Sequence, residues 1–204
     1  MILLLVILMI ILLSLISVAT GISVTCTLTN SYYGIDCCSL CTSSPCEMTI
    51  ESSPYNSGSL GSYALYQCNT LTSLIFKNLY SIQKYAVSSC TSLTAVSFTT
   101  DSTINIIGEG AFASCISLTS ITFPSSTVLN DIGARAFYEC NSLQSIVMPS
   151  NIQTIKEFTF YKCTSLNNIK FPTYLSGIND NAFVGCISLS TLAIPGVSYI
   201  GIII

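Results

Sequence analysis

From residue 61 onward the hydrophobic positions return in one order. YALYQCNTLTSLIF, YAVSSCTSLTAVSF, GAFASCISLTSITFP, RAFYECNSLQSIVMP, FTFYKCTSLNNIKFP and NAFVGCISLSTLAIP align on a single cysteine. The six cysteines, Cys68, Cys90, Cys115, Cys140, Cys163 and Cys186, stand 22, 25, 25, 23 and 23 residues apart. A fixed period in this range marks a solenoid, because no unit can bury its apolar face alone and stacking the units can. Within a unit, Leu118, Ile121 and Phe123 end on a period of two, which predicts a short strand with Ile and Phe inward. Pro124, Pro149, Pro172 and Pro195 then stop the strand, since proline cannot donate to a ladder. The preceding AFASC is too short for an independent helix and predicts a single turn on the outer side.

Residues 22–60 read differently. They are rich in Cys, Ser, Tyr and Pro and show little hydrophobic period. Before them, MILLLVILMIILLSLISVATG is unbroken and apolar from Ile2 to Leu13 and then turns small and polar. This predicts a signal peptide over residues 1–21, cleaved after Ala19 or Gly21. The other reading is an uncleaved anchor, for which Ser14 and Ser17 break the run.

The pattern IGxxAFxxCxSLxxIxFP resembles the BspA-type leucine-rich repeat family over residues 61–204. Six registers match at cysteine and four at the strand-end proline. The early units depart from it, with Leu65 and Val87 for Phe and Lys77 and Thr99 for Pro. Thr159 replaces Ala in the fifth unit, and the sixth is cut short at VSYIGIII. The resemblance implies a leucine-rich-repeat solenoid, with short parallel strands on one face and short helical turns or loops on the other, carrying a Cys-rich amino-terminal extension. It further implies a cell-surface or secreted protein linked to adhesion to host proteins or cells. A structural, self-assembling coat module, or a fragment of a longer array without its own ligand, is the alternative. The apolar GIII at residues 201–204 predicts an edge open to self-association.

The composition narrows the chemistry. Apolar residues make up 50%, enough for a sizeable core, while charged residues make up 7% with a net charge of -3. Six Lys and Arg are too few for a phosphate-tracking surface, which excludes nucleic acid as a partner. Histidine is absent, and with it the commonest general base, the commonest neutral metal ligand and every Ser-His or Cys-His nucleophile pair. Glu109, Asp131, Glu139, Glu157 and Asp180 fall in turns or on the outer side, so they read as solvated surface rather than an acid pair across a cleft. The expectation is a non-enzymatic protein with no cofactor and no metal.

The cysteines divide into two groups. The six repeat cysteines recur at one structural position, which suits buried free thiols behaving as small hydrophobes. Phe112, Phe137, Phe160 and Phe183 share their period and predict a core spine. Cys26, Cys37, Cys38, Cys41 and Cys46 fall irregularly in a core-poor segment, the setting in which disulfides replace burial. Five is an odd number, so one of them is free, pairs with Cys68 or pairs with another chain. The group predicts a disulfide cap on the first edge of the solenoid.

The strand face turned away from the core is the candidate binding surface. Its positions are Ser120 and Thr122, with Ser145, Val147, Asn168, Lys170 and Thr191 as equivalents in later units. Rows of short polar groups on a rigid sheet suit a protein partner. They equally suit soluble, β-compatible filler.

Overall fold

The computed structural model describes residues 22–28, 37–42, 44–52, 58–100, 102–124, 128–190 and 199–200. The expected leader, residues 1–21, lies outside the described residues. The first half of the chain holds β1 (Ile22–Leu28), the 3-10 helix η1 (Cys37–Leu40), β2 (Cys46–Ser52), β3 (Gly58–Leu60), β4 (Leu71–Lys77), β5 (Leu79–Ile82), β6 (Ala95–Phe98) and β7 (Ile106–Ile107). There follow β8 (Ser120–Thr122), β9 (Asp131–Ile132), β10 (Ser145–Val147), β11 (Thr154–Ile155), β12 (Asn168–Lys170), β13 (Gly177–Ile178) and β14 (Tyr199–Ile200). No helix among the described residues is long and apolar enough to cross a membrane.

The strands stack into a parallel solenoid. One seven-stranded sheet runs β1-β2-β4-β6-β8-β10-β12. On another side of the coil, β3-β5-β7-β9 and β11-β13-β14 form two shorter sheets. Alternation sets which side chains enter the core. Met48, Leu74, Val96 and Ile121 pair in register across four strands and all are buried. Ile50, Phe76 and Phe98 form the next buried row. Residues 22–60 supply the first two strands of the sheet itself. Cys46, Met48 and Ile50 alternate inward there, with Glu47, Thr49 and Glu51 outward.

Threonine after the Ser-Leu or equivalent pair locks consecutive turns. Thr72, Thr94 and Thr119 donate their hydroxyls to the carbonyls of Cys46, Thr72 and Thr94, each at 2.9 Å. Such bonds satisfy both the side chain and a second lone pair of a carbonyl already in the ladder.

The outer turns are not helical. In Gly110–Cys115 the N–H groups of Gly110, Phe112 and Ser114 donate forward to Ala134, Ala136 and Tyr138 of the next turn, at 3.0, 2.9 and 2.7 Å. The intervening Ala111, Ala113 and Cys115 donate back to Gly108, Gly110 and Phe112 of their own turn. Every second donor thus serves the stack and the rest serve the turn. This alternation requires left-handed backbone at two positions in each unit. Tyr63, Tyr85, Gly110, Arg135, Phe158 and Asn181 occupy the first, and Gln67, Ser89, Ser114, Glu139, Lys162 and Gly185 the second. Ten of these twelve are not glycine, and each such residue carries a cost of about 1–2 kcal/mol that the stack offsets. Ser114→Gly should therefore stabilise the fold by about 0.5–1 kcal/mol, read as a higher melting temperature. A lower one would remove strain from this account.

Gly110 is one of the two glycines at these positions, and Tyr85 leans over it: a Cβ there would meet the Tyr85 ring at 2.1 Å. Gly133 answers a different need. Its Cβ would lie 2.5 Å from the Glu109 backbone nitrogen, so glycine permits the close approach of consecutive turns.

Two aromatic columns fill the coil. Phe112, Phe137, Phe160 and Phe183 stack face to face, with centroids 5.6, 5.5 and 5.3 Å apart. Phe76, Phe98 and Phe123 form the second column, at 5.1 and 5.6 Å. The repeat cysteines lie beside the first. Cys90, Cys115, Cys140, Cys163 and Cys186 are free thiols. Each donates its S–H to the backbone carbonyl at the phenylalanine position of the preceding turn, namely Leu65, Val87, Phe112, Phe137 and Phe160, at 3.0–3.2 Å. A small hydrophobe with a weak donor matches a site that is apolar except for one carbonyl.

Cys68 corrects the expectation of six free thiols and realises the alternative in which a cysteine of the first group pairs with it. It is buried in the same register but bridged to Cys38, with Cα atoms 5.5 Å apart. The turn before it is η1 rather than a repeat turn, and Cys38 of η1 takes up its sulfur. A second bridge joins Cys41 to Cys46. Both lie at the first end of the sheet. The side chains of Cys26 and Cys37 lie outside the described residues.

Candidate functional site

The outward residues of the seven-stranded sheet form two parallel rows. Strand pairing aligns Glu47, Ser73, Ala95, Ser120, Ser145 and Asn168 in one. Thr25, Thr49, Ile75, Ser97 and Thr122 align in the other, which Val147 and Lys170 continue from β10 to β12. Neighbours within a row are about 4.8 Å apart. The rows are exposed at Thr25 and Glu47, sink in the middle of the sheet and emerge again from β8 onward. Ser73, Ile75, Ala95 and Ser97 are half-buried, whereas Ser120, Thr122, Ser145, Val147, Asn168 and Lys170 are exposed. Val147 is 62% exposed, unusual for a β-branched apolar residue inside a sheet. Thr191, the remaining sequence-predicted position, lies outside the described residues.

A groove of roughly 600 Å³ opens in this exposed part. Ser120, Thr122, Ser145, Val147 and Lys170 line it, and Pro124, Pro149 and Pro172 line it where the strands stop. Asn168 stands outside. The register between β8 and β10 is confined to Ser120 and Ser145, whereas β10 and β12 pair at three positions. The strand-end prolines read in sequence as stops. Because they recur at one register they also stack, and a proline-sided groove follows from the same period.

Charge is distributed unevenly around the coil. Five of the six cationic side chains lie against carboxylates: Lys77 on Glu51, Lys84 and Arg135 on Glu109, Lys156 on Asp131 and Lys162 on Glu139, at 2.6–3.8 Å. The Lys84 hydrogen bond holds the Glu109 carboxyl below its usual range, and Glu109 in turn raises Lys84. These exposed pairs are worth little in stability. The sixth cation, Lys170, has no carboxylate partner among the described residues, and it is the one in the groove.

The thiols are turned into the core, and burial pushes Cys140 up to about 12 and Cys115 and Cys163 well above the ordinary thiol value. They are held protonated, the opposite of what a nucleophile needs. No group of three Cys, Asp or Glu that could hold a metal ion occurs among the described residues.

A family model for the BspA type leucine rich repeat region matches residues 24–128 and 96–202, in six copies. Among solved structures, a leucine-rich repeat protein from Eubacterium ventriosum superposes with a TM-score of 0.64 at 21% identity, over 75% of this chain and 41% of that one. One from Bacteroides ovatus gives 0.53 at 28% identity, over 81% and 47%. A leucine rich cell surface protein from Faecalibacterium prausnitzii gives 0.54 at 20%, over 87% and 59%. The chain therefore spans less than two thirds of the length of each of these three. No curated protein matches it.

Proposed function

Because the chain belongs to the BspA-type leucine-rich repeat family, we propose that it is a non-enzymatic adhesion protein, secreted or displayed at the cell surface. It holds host or extracellular proteins against the exposed face of its seven-stranded sheet. The observation that carries this reading is the exposed end of the polar rows, where Ser120 through Lys170 leave the half-buried surface and border a groove. A rigid parallel sheet presents such a face at little ordering cost, which favours binding.

The cell-surface or secreted setting has two supports. Disulfides persist in oxidising compartments, and two bridge the first end of the sheet. Residues 1–21 have the composition of a leader. Amino-terminal sequencing of exported material should find the mature chain starting at residue 20 or 22; a retained Met1 would reject cleavage.

The test of adhesion is direct. Purified mature protein is applied to immobilised extracellular-matrix proteins and to host cells. A Thr122→Arg, Ser145→Arg double variant, which fills the face with two long charged side chains, should lose binding at least about tenfold. Undiminished binding by a folded double variant would remove this face from the function.

A further inference from the structure

We propose that the groove takes an extended protein segment carrying a carboxylate, which Lys170 receives, beside an apolar side chain set against Val147. The proposal rests on the reading of the strand face as the binding surface and specifies its ligand. Its first basis is charge. Each of the other five Lys and Arg side chains lies within 4 Å of a carboxylate, so Lys170 is the one cationic side chain among the described residues left to complement a ligand. Glu47, on the same outward face, lies in β2, five strands away along the sheet, about 24 Å, too far to neutralise it.

The second basis is shape. The groove crosses the ends of three strands, about 10 Å, the length of roughly three residues of extended chain. Pro124, Pro149 and Pro172 form its strand-end side and offer no backbone N–H. An anion entering there finds no backbone donor from those residues; the Lys170 ammonium meets it, with the short hydroxyls of Ser120, Thr122, Ser145, Ser150 and Thr173 around it. Val147, exposed in the centre, supplies apolar contact. One cation flanked by an apolar residue selects a single carboxylate next to an aliphatic side chain rather than a polyanion.

Blocked eight-residue peptides of Ser, Thr and Val that differ only at one central position, Glu, Gln or Lys, supply the probe. Fluorescence anisotropy should show the Glu peptide binding about tenfold tighter than the Gln peptide at low salt, with the gap closing as salt rises. Lys170→Ala should erase the gap, and Lys170→Glu should turn the preference towards the Lys peptide. Both variants alter an exposed side chain, so folding is preserved. Equal binding of Glu and Gln peptides, no peptide binding at all, or binding of an anionic glycan without discrimination among the peptides would each overturn the proposal. Thr122→Arg separates the two readings. If Glu and Gln peptides bind alike and both are lost in that variant, the face is the site but the carboxylate specificity is wrong. If matrix-protein binding survives Thr122→Arg, Ser145→Arg, the strand face itself is wrong.

Discussion

Phe137→Ala is expected to destabilise the protein by about 3–5 kcal/mol, the range for a fully buried phenylalanine. The ring is 0% exposed and lies between Phe112 at 5.6 Å and Phe160 at 5.5 Å, nearly parallel to both. Its removal leaves a cavity in the middle of the column and weakens two inter-turn contacts at once. Each stacked pair adds about 0.5–1.5 kcal/mol beyond the area it buries. Because a solenoid's stability is close to a sum over units and their interfaces, a central lesion should also uncouple the two halves. Urea unfolding of Phe137→Ala should lose its single sharp transition, while the same change at Phe183, which keeps one face-stacked neighbour, should cost less and leave one transition. A loss below about 1 kcal/mol for Phe137→Ala would mean that the column does not hold the turns together.

The second large effect is alkaline unfolding driven by the thiol column. Burial raises Cys140 to about 12 and Cys186 to about 11. It also raises Cys163 and Cys115. In the unfolded chain these thiols ionise near 8.5. Above that pH the unfolded state binds fewer protons than the folded one, so stability falls as pH rises. The contribution is whole below about 8.5, and for Cys140 it drains away until about pH 12. At pH 10 Cys140 alone should have lost about 2 kcal/mol relative to pH 7. The check is the slope of unfolding free energy against pH between 9.5 and 11. Cys140→Ala should be less stable at pH 7 yet lose about 1.4 kcal/mol less per pH unit than the parent. Equal slopes would show that Cys140 titrates normally in the fold.

Much of this molecule is legible in its sequence, because the same residues mark register and core. The cysteine period places the turns, and the alternation through Leu118, Ile121 and Phe123 separates buried from outward positions. Other features leave weaker marks. In CEMTIES the inward alternation of Cys46, Met48 and Ile50 is present, but without the Cys-x-Ser-Leu marker it does not stand out, so β2 reads as part of an irregular segment. The odd count in the first group allows a pairing with Cys68, but the choice of Cys38 leaves no trace in spacing, since it depends on where η1 brings its sulfur. The left-handed positions carry Tyr, Gln, Arg, Phe and Lys, whose identities say nothing of the backbone; hydrogen bonds to the next turn impose it. The isolation of Lys170 is equally hidden. The other five cations find their carboxylates 23–26 residues away, one turn along, and only the coiled chain reveals which lysine has none among the described residues.

The forward hydrogen bonds of the outer turns bear on how arrays of this kind change length. A turn such as Gly110–Cys115 sends three N–H groups to its successor, and the carbonyls of Glu109, Ala111 and Ala113 receive three from Tyr85, Val87 and Ser89 of its predecessor. Duplication of a whole unit therefore adds donors and acceptors in equal number and breaks no existing register. Insertion of a few residues within the turn shifts the two left-handed positions away from the carbonyls they serve. Gene-level expansion by whole repeats is thus conformationally neutral, while small insertions are confined to the segments between turns, where the observed periods of 22 to 25 residues already differ.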